Sequence, residues 1–251
     1  MKVSVITVVY NAADTIEDTI KSVIEQDYDN IEYIVIDGGS TDGTLDVVNR
    51  YREHLSAVVS EPDDGIYDAM NKGIDIATGD VVGTLNADDW YVDNGVISKV
   101  VSAFNEDNKL DAVYGDIVFV IREKPYRIVR YWESRPYHDG MFNKGWMPPH
   151  PTFFVKREIY LRYGMYDVDL KIQSDFDLTM RFLAVNRIRT QYLPGVMVNM
   201  RMGGVTSNNL SNVIKGNLEA YRACRKNGLA VTPVFMVRKV LSRIPQFFRK
   251  P

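Results

Sequence analysis

The first half of the chain alternates short β-branched runs with stretches of helical periodicity. VSVITVV at 3–9, EYIVID at 32–37, LSAVVS at 55–60 and DVVGTLN at 80–86 are compact apolar runs that predict strands. The intervening segments 14–25, 44–53 and 66–77 predict helices. In the third, Ile66, Ala69, Met70, Gly73, Ile74 and Ala77 follow the i, i+3, i+4, i+7, i+8 pattern of one buried face. Gly79 stands where a left-handed residue closes a helix. Strands alternating with helices in this way predict an α/β fold with a parallel, doubly wound sheet.

The pattern loosens in the second half. DAVYGDIVFVI (111–121) and YRIVRYW (126–132) predict a hairpin about an REKP turn. WMPPHPTFFV (146–155) is a proline-stiffened approach to a strand, and QYLPGVMVNM (191–200) is a further strand. A helix is expected over 174–185, with Ser174 as its N-cap, and another over 211–227. No repeat or long linker divides the chain, which predicts one domain with a C-terminal appendage.

Composition changes this picture little until its distribution is considered. At 251 residues, 45% hydrophobic and 25% charged, the chain can bury a sizeable core. One cysteine, Cys224, precludes an internal disulfide and fits a reducing compartment. The three histidines, His54, His138 and His150, form no zinc-ligand spacing. VSVITVV is too short for a signal core, and Asp14 and Glu17 follow it, so a cytoplasmic protein is expected. The net charge of −3 hides an asymmetry: no acid follows Glu219, whereas Arg222, Arg225, Lys226, Arg238, Lys239, Arg243, Arg249 and Lys250 do. Interleaved with Phe235, Val237, Leu241, Ile244 and Phe248, they describe either a basic amphipathic segment on an anionic membrane or a docked helix with a solvated basic face.

Ligands of doubly wound sheets bind beyond the carboxyl ends of the strands. Polar clusters follow each predicted strand there: YNAADT, DGGSTDGT, EPDDG and NADDW. Neither a GxGxxG fingerprint nor a P-loop is present. Asp37 ends a strand and can accept from a base or ribose, or can simply brace a tight turn. Asp88 and Asp89 either begin a turn or share a divalent cation, whose hard oxygen ligands they supply. Asp175 and Asp177 open a helix, as capping acids or as a base for an attacking alcohol.

VSVITVVYNAADTIEDTIKSVIEQDYDNIEYIVIDGGSTDGT and SEPDDGIYDAMNKGIDIATGDVVGTLNADDW, with HPTFFVKREIYLRYGMYD, SDFDLTMRF and MRMGGVTSN after them, resemble family 2 glycosyltransferases of GT-A fold, in their O-antigen and capsular polysaccharide branch. The likeness covers about residues 2–210 and leaves out the tail. It implies a nucleotide-binding part at 1–115 and an acceptor part at 116–220, with a basic tail at 221–251. Tyr10 and Asn11 would line the nucleotide pocket, Asp37 would bind uracil, and Asp64 and Gly65 would approach the nucleotide. Asn86 and Asp88 would contact the sugar nucleotide, with Asp88 and Asp89 holding Mn²⁺ or Mg²⁺. Asn86 replaces an acid of the family motif and makes the site less negative before metal binds. Asp175 would be the catalytic base, while Trp90, His150 and Arg201 would meet acceptor or diphosphate. The implied reaction is inverting transfer of a hexose or N-acetylhexosamine from a UDP-sugar to a saccharide, free or linked to polyprenyl diphosphate, with no nucleic-acid partner. The implied place is the inner face of the cell membrane. A nucleotidyltransferase or a non-catalytic sugar-nucleotide binder stands as the alternative, though YNAADT lacks the glycine and lysine of a phosphate loop.

Overall fold

The structure, a computed structural model, describes residues 1–122, 126–203 and 210–251. Its first half runs β1 (Val3–Val9), α1 (Ile16–Ile24), β2 (Ile31–Asp37), α2 (Thr44–Asn49), β3 (Ala57–Ser60), α3 (Ile66–Ile76) and β4 (Val81–Asn86). The four strands lie parallel in the order β3-β2-β1-β4. Strand order reverses at β1, so a crevice opens beyond its carboxyl end, between β2 and β4. Register pairs Val9 with Asp37, Asp37 with Ser60, and Val8 with Asn86, which sets the polar loops in one row.

Three local expectations are corrected. The helix expected over 44–53 stops at Asn49, and a separate 3-10 turn covers Arg52–His54. On α3, Ile66 is 43% exposed, and Tyr67 is buried with Met70 and Ile74 instead. Tyr67 shares the i, i+3, i+7 spacing with those two residues, so the period allowed either choice. Gly79 caps nothing, because Ala77 already ends α3. A Cβ at Gly79 would lie 2.5 Å from Ser4 Oγ and 2.7 Å from its amide nitrogen, so close backbone approach is what requires glycine there.

The second half adds β5 (Trp90–Tyr91), α4 (Val96–Glu106), β6 (Ala112–Val120), β7 (Ile128–Trp132), β8 (Phe154–Lys156), α5 (Arg157–Tyr163), α6 (Ser174–Met180), β9 (Thr190–Arg201), α7 (Leu210–Lys226) and α8 (Val234–Leu241). The sheet continues from β4 through β8, β6 and β9 to β5, and β7 pairs antiparallel with β6 as the expected hairpin. Residues 123–125 of its REKP turn lie outside the described residues. The helix expected to 185 is α-helical to Met180 and then widens into a π turn over Arg181–Val185. Gln173, not Ser174, precedes its first turn, and the Ser174 hydroxyl is buried with no partner.

The divisions drawn at 115/116 and 220/221 both fall within single elements, β6 and α7. The C-terminal segment is docked: Ala220, Ala223, Cys224, Val231 and Phe235 join the core that holds Phe176 and Phe182. Lys239 is buried, donates to Gln173 Oε1 and sits 4.4 Å from the Phe176 ring centre. Arg130 clamps the chain end, with its guanidinium 4.4 Å over Phe119 and 5.5 Å over Phe247 and its Nε 2.6 Å from Gln246 Oε1. Burial pushes the Cys224 thiol up to about 12, leaving it a packing residue.

At the opposite end of the sheet from the polar loops, Glu32 ties three segments together. It accepts from Lys2 Nζ, Ser4 Oγ and both the amide and hydroxyl of Thr78 at 2.6–2.7 Å. Burial alone would raise its carboxyl, but these hydrogen bonds outweigh it and pull the group down to about 2. A depressed carboxylate stabilises the fold above its unfolded value and loses that contribution as pH falls toward its folded value. Glu32→Gln is therefore expected to cost about 1–3 kcal/mol at neutral pH. In urea titrations the gap from wild type should narrow as pH drops from 4.5 toward about 2. A gap constant over that window would refute the carboxylate's role.

Candidate active site

The crevice is built from loops stitched to one another. Asn11 takes a left-handed φ of 48°, and its amide donates to Ser40 Oγ at 2.8 Å while its Oδ1 accepts from the Thr41 amide at 2.9 Å. The Ala12 amide reaches Thr44 Oγ1 at 2.8 Å, so the loop after β1 is pinned to the loop after β2. Tyr10, beside them, is 64% exposed at the switch point. An aromatic ring left in water there offers a face for a base to stack on.

Asp37 takes up the turn-bracing role of the two expected for it. It is fully buried, and Oδ2 accepts from the Gly39 and Ser40 amides at 3.1 Å and from Ser60 Oγ at 2.7 Å. Its carboxylate thereby shapes the DGGSTDG turn. Gly65 has φ 117° and directly precedes α3, while Asp64 is exposed next to it. Asp63 Oδ1 accepts from the Gly65 amide at 2.9 Å, closing the turn.

The paired acids of NADDW part company. Asp89 is fully buried, with Oδ1 accepting from the Arg201 amide at 3.2 Å and Oδ2 from Asn86 Nδ2 at 3.2 Å. Burial, and then the charge of Asp88, push the Asp89 carboxyl well above its usual range. As placed, Asp89 offers no oxygen to the crevice, contrary to the expectation that it shares a metal. Asp88 is half-buried. Burial raises its carboxyl too, against a backbone hydrogen bond and the charges of Arg122, Arg201 and His150.

Asn86 explains why an amide stands at this position. Its Nδ2 donates to Asp89 Oδ2 and lies 3.4 Å from His150 Nε2, tasks a carboxylate cannot perform. Its Oδ1 is buried without a partner. Turning the amide over would point an acceptor at an ionised Asp89, so this orientation is the one that suits the ionised carboxylate.

His150 carries the connection across the cleft. It sits in the 3-10 turn His150–Thr152, held behind Pro148 and Pro149, and its Nδ1 lies 3.4 Å from Asp175 Oδ2. Burial pushes the imidazole below its usual range, against Asp175 and Asp88. One neutral tautomer, protonated on Nδ1, fits both long contacts: it donates to Asp175 and accepts from Asn86. Asp175 Oδ1 also accepts from the Phe176 amide at 2.7 Å and lies 3.4 Å from Tyr67 OH. Asp175 keeps 17% of its side chain exposed. Asp177, by contrast, is buried against Arg181 Nε and Asn227 Nδ2 as a structural acid.

Arg201 is neither a surface residue nor a free phosphate ligand. Its side chain is 2% exposed, NH1 donates to Asp88 O at 2.6 Å, and NH2 donates to Tyr126 OH and Asp18 Oδ2. The Trp90 ring centre lies 4.3 Å from its guanidinium and the Tyr126 ring centre 5.1 Å, so Trp90 packs on Arg201. The Gly204 end of the MRMGG motif lies outside the described residues. Sequence reasoning missed Tyr67, Thr19, whose Oγ1 holds Asp89 O at 2.7 Å, and Arg122, whose charge acts on Asp88. Of these, only Tyr67 had a signal, in the α3 period. Among the described residues no group of three acids, histidines or cysteines forms a ready cation cage.

Comparison with known proteins fits this geometry. The family model "Glycosyl transferase family 2" matches residues 4–163. A "PGL/p-HBAD biosynthesis glycosyltransferase" of Mycobacterium bovis is 29% identical over 245 residues, 96% of this chain and 92% of that protein. Among solved structures, S. aureus TarS 1-349 in complex with UDP-GlcNAc superposes with a TM-score of 0.69 at 19% identity, over 99% of this chain and 73% of that one. The mannosyltransferase PcManGT from Pyrobaculum calidifontis, in complex with GDP-Man and Mn²⁺, gives 0.68 at 22%, over 98% and 73%. At these identities the two structures speak for the GT-A fold, which this chain shares. The family model and the near full-length relative go further than fold: the chain belongs to glycosyl transferase family 2 and is a glycosyltransferase.

Proposed function

We propose that the chain transfers a hexose or N-acetylhexosamine from a UDP-sugar to a saccharide hydroxyl with inversion. The observation that carries this reading is the His150 bridge. It sets Asp175, on α6, against the NADDW loop at the mouth of the donor crevice, with Asn86 on its other side. In the step, Asp175 takes the proton of the acceptor hydroxyl while that oxygen bonds to the anomeric carbon. The bond from that carbon to the UDP oxygen breaks, and UDP leaves with the electron pair. Tyr10 stacks the base, Asp37 shapes the turn beneath it, and Asp64 and Gly65 border the nucleotide. His150 and Tyr67 are positioning residues that aim Asp175.

The donor set suits a hard divalent cation only when a nucleotide diphosphate completes it. Asp88 brings one carboxylate, and the rest of an oxygen shell must come from phosphate and water. Mn²⁺ or Mg²⁺ bound there would neutralise charge developing on the UDP leaving group. Arg122 is the cation of this chain placed to assist it.

Asp175→Asn is expected to lower turnover roughly 10²–10⁴-fold while UDP-sugar affinity holds. Turnover equal to wild type, read by released UDP, would sink the base assignment. The two NADDW acids separate in a second test. Asp88→Asn should abolish the Mn²⁺-dependent gain in UDP affinity with the melting temperature unchanged. Asp89→Asn should keep that gain but melt several degrees lower, because its amide faces two donors; about 1–3 kcal/mol is at stake. Loss of the Mn²⁺ response in both variants would restore Asp89 as a ligand.

The acceptor we propose is a saccharide on a polyprenyl diphosphate, met at the inner face of the cell membrane during surface-polysaccharide assembly. Support comes from the outer side of α8 and the turn after it. Val234, Val237, Leu241, Ile244 and Phe248 are 49–83% exposed, at alternating spacings of three and four, with Arg238, Arg249 and Lys250 beside them. Among the described residues no helix is long and apolar enough to cross a membrane, so the strip would lie on the surface. Full-length protein should co-sediment with vesicles containing phosphatidylglycerol, less so at high salt. Leu241→Asp with Phe248→Asp should reduce binding severalfold without altering the melting temperature. Equal sedimentation of the double variant would end the membrane reading.

A further inference from the structure

Away from the donor crevice, a hollow of about 270 Å³ lies between the 132–147 segment and the C-terminal residues 239–249. Residues lining it carry polar groups that nothing satisfies. Trp146 Nε1 and Ser134 Oγ are buried with no hydrogen-bond partner. The guanidinium of Arg243, also on its wall, makes no hydrogen bond or ion pair among the described residues. Arg243 is thus a cation on the wall of the hollow whose charge has no partner there, which calls for a ligand of opposite charge.

The charge on that wall says which chemistry. Arg135, Lys144, Lys239, Arg243 and Arg249 line the hollow, against one acid, Glu133, whose carboxylate is taken by Arg249. Burial and then the charge of Arg243 push the Lys239 ammonium down to about 7, so these two cations repel each other. An anion would relieve that repulsion and accept from the Arg243 guanidinium at once. The wall also reaches the chemistry. Lys239 Nζ donates to Gln173 Oε1, two residues before Asp175, and the charge of Asp175 acts on both Lys239 and Arg243.

We propose that this hollow seats a phosphate or diphosphate of the acceptor, on Arg243, Arg135 and Lys144. Its volume, below that of ordinary small-molecule pockets, suits the anion and at most one sugar ring. The word acceptor rests on the glycosyl-transfer reading above; the anion site stands independently of it.

The test uses the full chain with UDP saturating the donor crevice. Inorganic pyrophosphate and farnesyl diphosphate are titrated while tryptophan fluorescence is followed, since two of the three tryptophans, Trp132 and Trp146, line the hollow. Wild type should bind both, and Arg243→Gln and Arg135→Gln should each weaken binding at least about tenfold. UDP affinity and melting temperature should not change. Farnesyl diphosphate binding well above pyrophosphate assigns the anion to a lipid-linked acceptor; equal affinities assign it to a soluble phosphorylated one. Should Arg243→Gln fail to fold, exposed Arg135 decides. Affinities for pyrophosphate that match wild type in the folded variants, or no binding at millimolar concentration, would overturn the site. Failure of UDP to bind while pyrophosphate keeps its arginine dependence would instead overturn the UDP-sugar reading alone.

Discussion

Burying the guanidinium of Arg201 strips a full charge of its water, and a buried charge left without partners costs several kcal/mol. Everything around it answers that demand. Asp18 supplies the countercharge from α1, Asp88 a carbonyl from the NADDW loop, and Tyr126 a hydroxyl, while Trp90 covers the guanidinium face. The Arg201 backbone amide meanwhile holds Asp89 Oδ1. The end of β9 therefore cannot shift without dragging the loop that faces the donor. A residue that looks in sequence like a free phosphate ligand is the peg on which the NADDW loop is hung.

With that loop fixed, the side chains on it have no freedom to share roles. Asp89 is turned inward to receive Asn86 and Arg201, and only Asp88 is left toward the cleft. The family motif's first acid could not serve here as Asn86 does. A carboxylate at that place would face both the Asp89 carboxylate and the lone pair of His150 Nε2, with no proton to give either. The amide thus links the inner acid to the histidine, and the histidine to Asp175. Reduced acidity of the site follows from this relay, so it need not have been selected as a weaker metal site.

Much of the donor half was legible because its physics is local. Strands β1, β2 and β4 are apolar runs buried on both faces, and their period leaves little choice. Topology alone places the loops after them at one edge of the sheet. What the sequence withheld was direction: Asp37 and Asp89 lie where expected yet point into the protein. Orientation depends on partners from distant segments, such as Ser60 for Asp37 and Arg201 for Asp89, which no spacing encodes. The tail was open to two readings for a related reason. A basic amphipathic helix looks the same whether its apolar face meets a core or a membrane.

The structure shows that α8 does not have to choose. Phe235 and Lys239 point inward, where Phe235 packs on Phe176 with ring centres 6.0 Å apart and Lys239 reaches Gln173. Val234, Val237 and Leu241 point outward. The same short helix therefore braces the start of α6, which carries Asp175, and presents an apolar strip to whatever lies outside. A flexible tether would let the enzyme wander relative to a surface-bound acceptor. An element packed against the helix that carries Asp175 would, on the proposed reading, fix the distance and angle between that surface and the attacking hydroxyl. On the proposed reading, docking the tail is what turns membrane attachment into orientation of the acceptor.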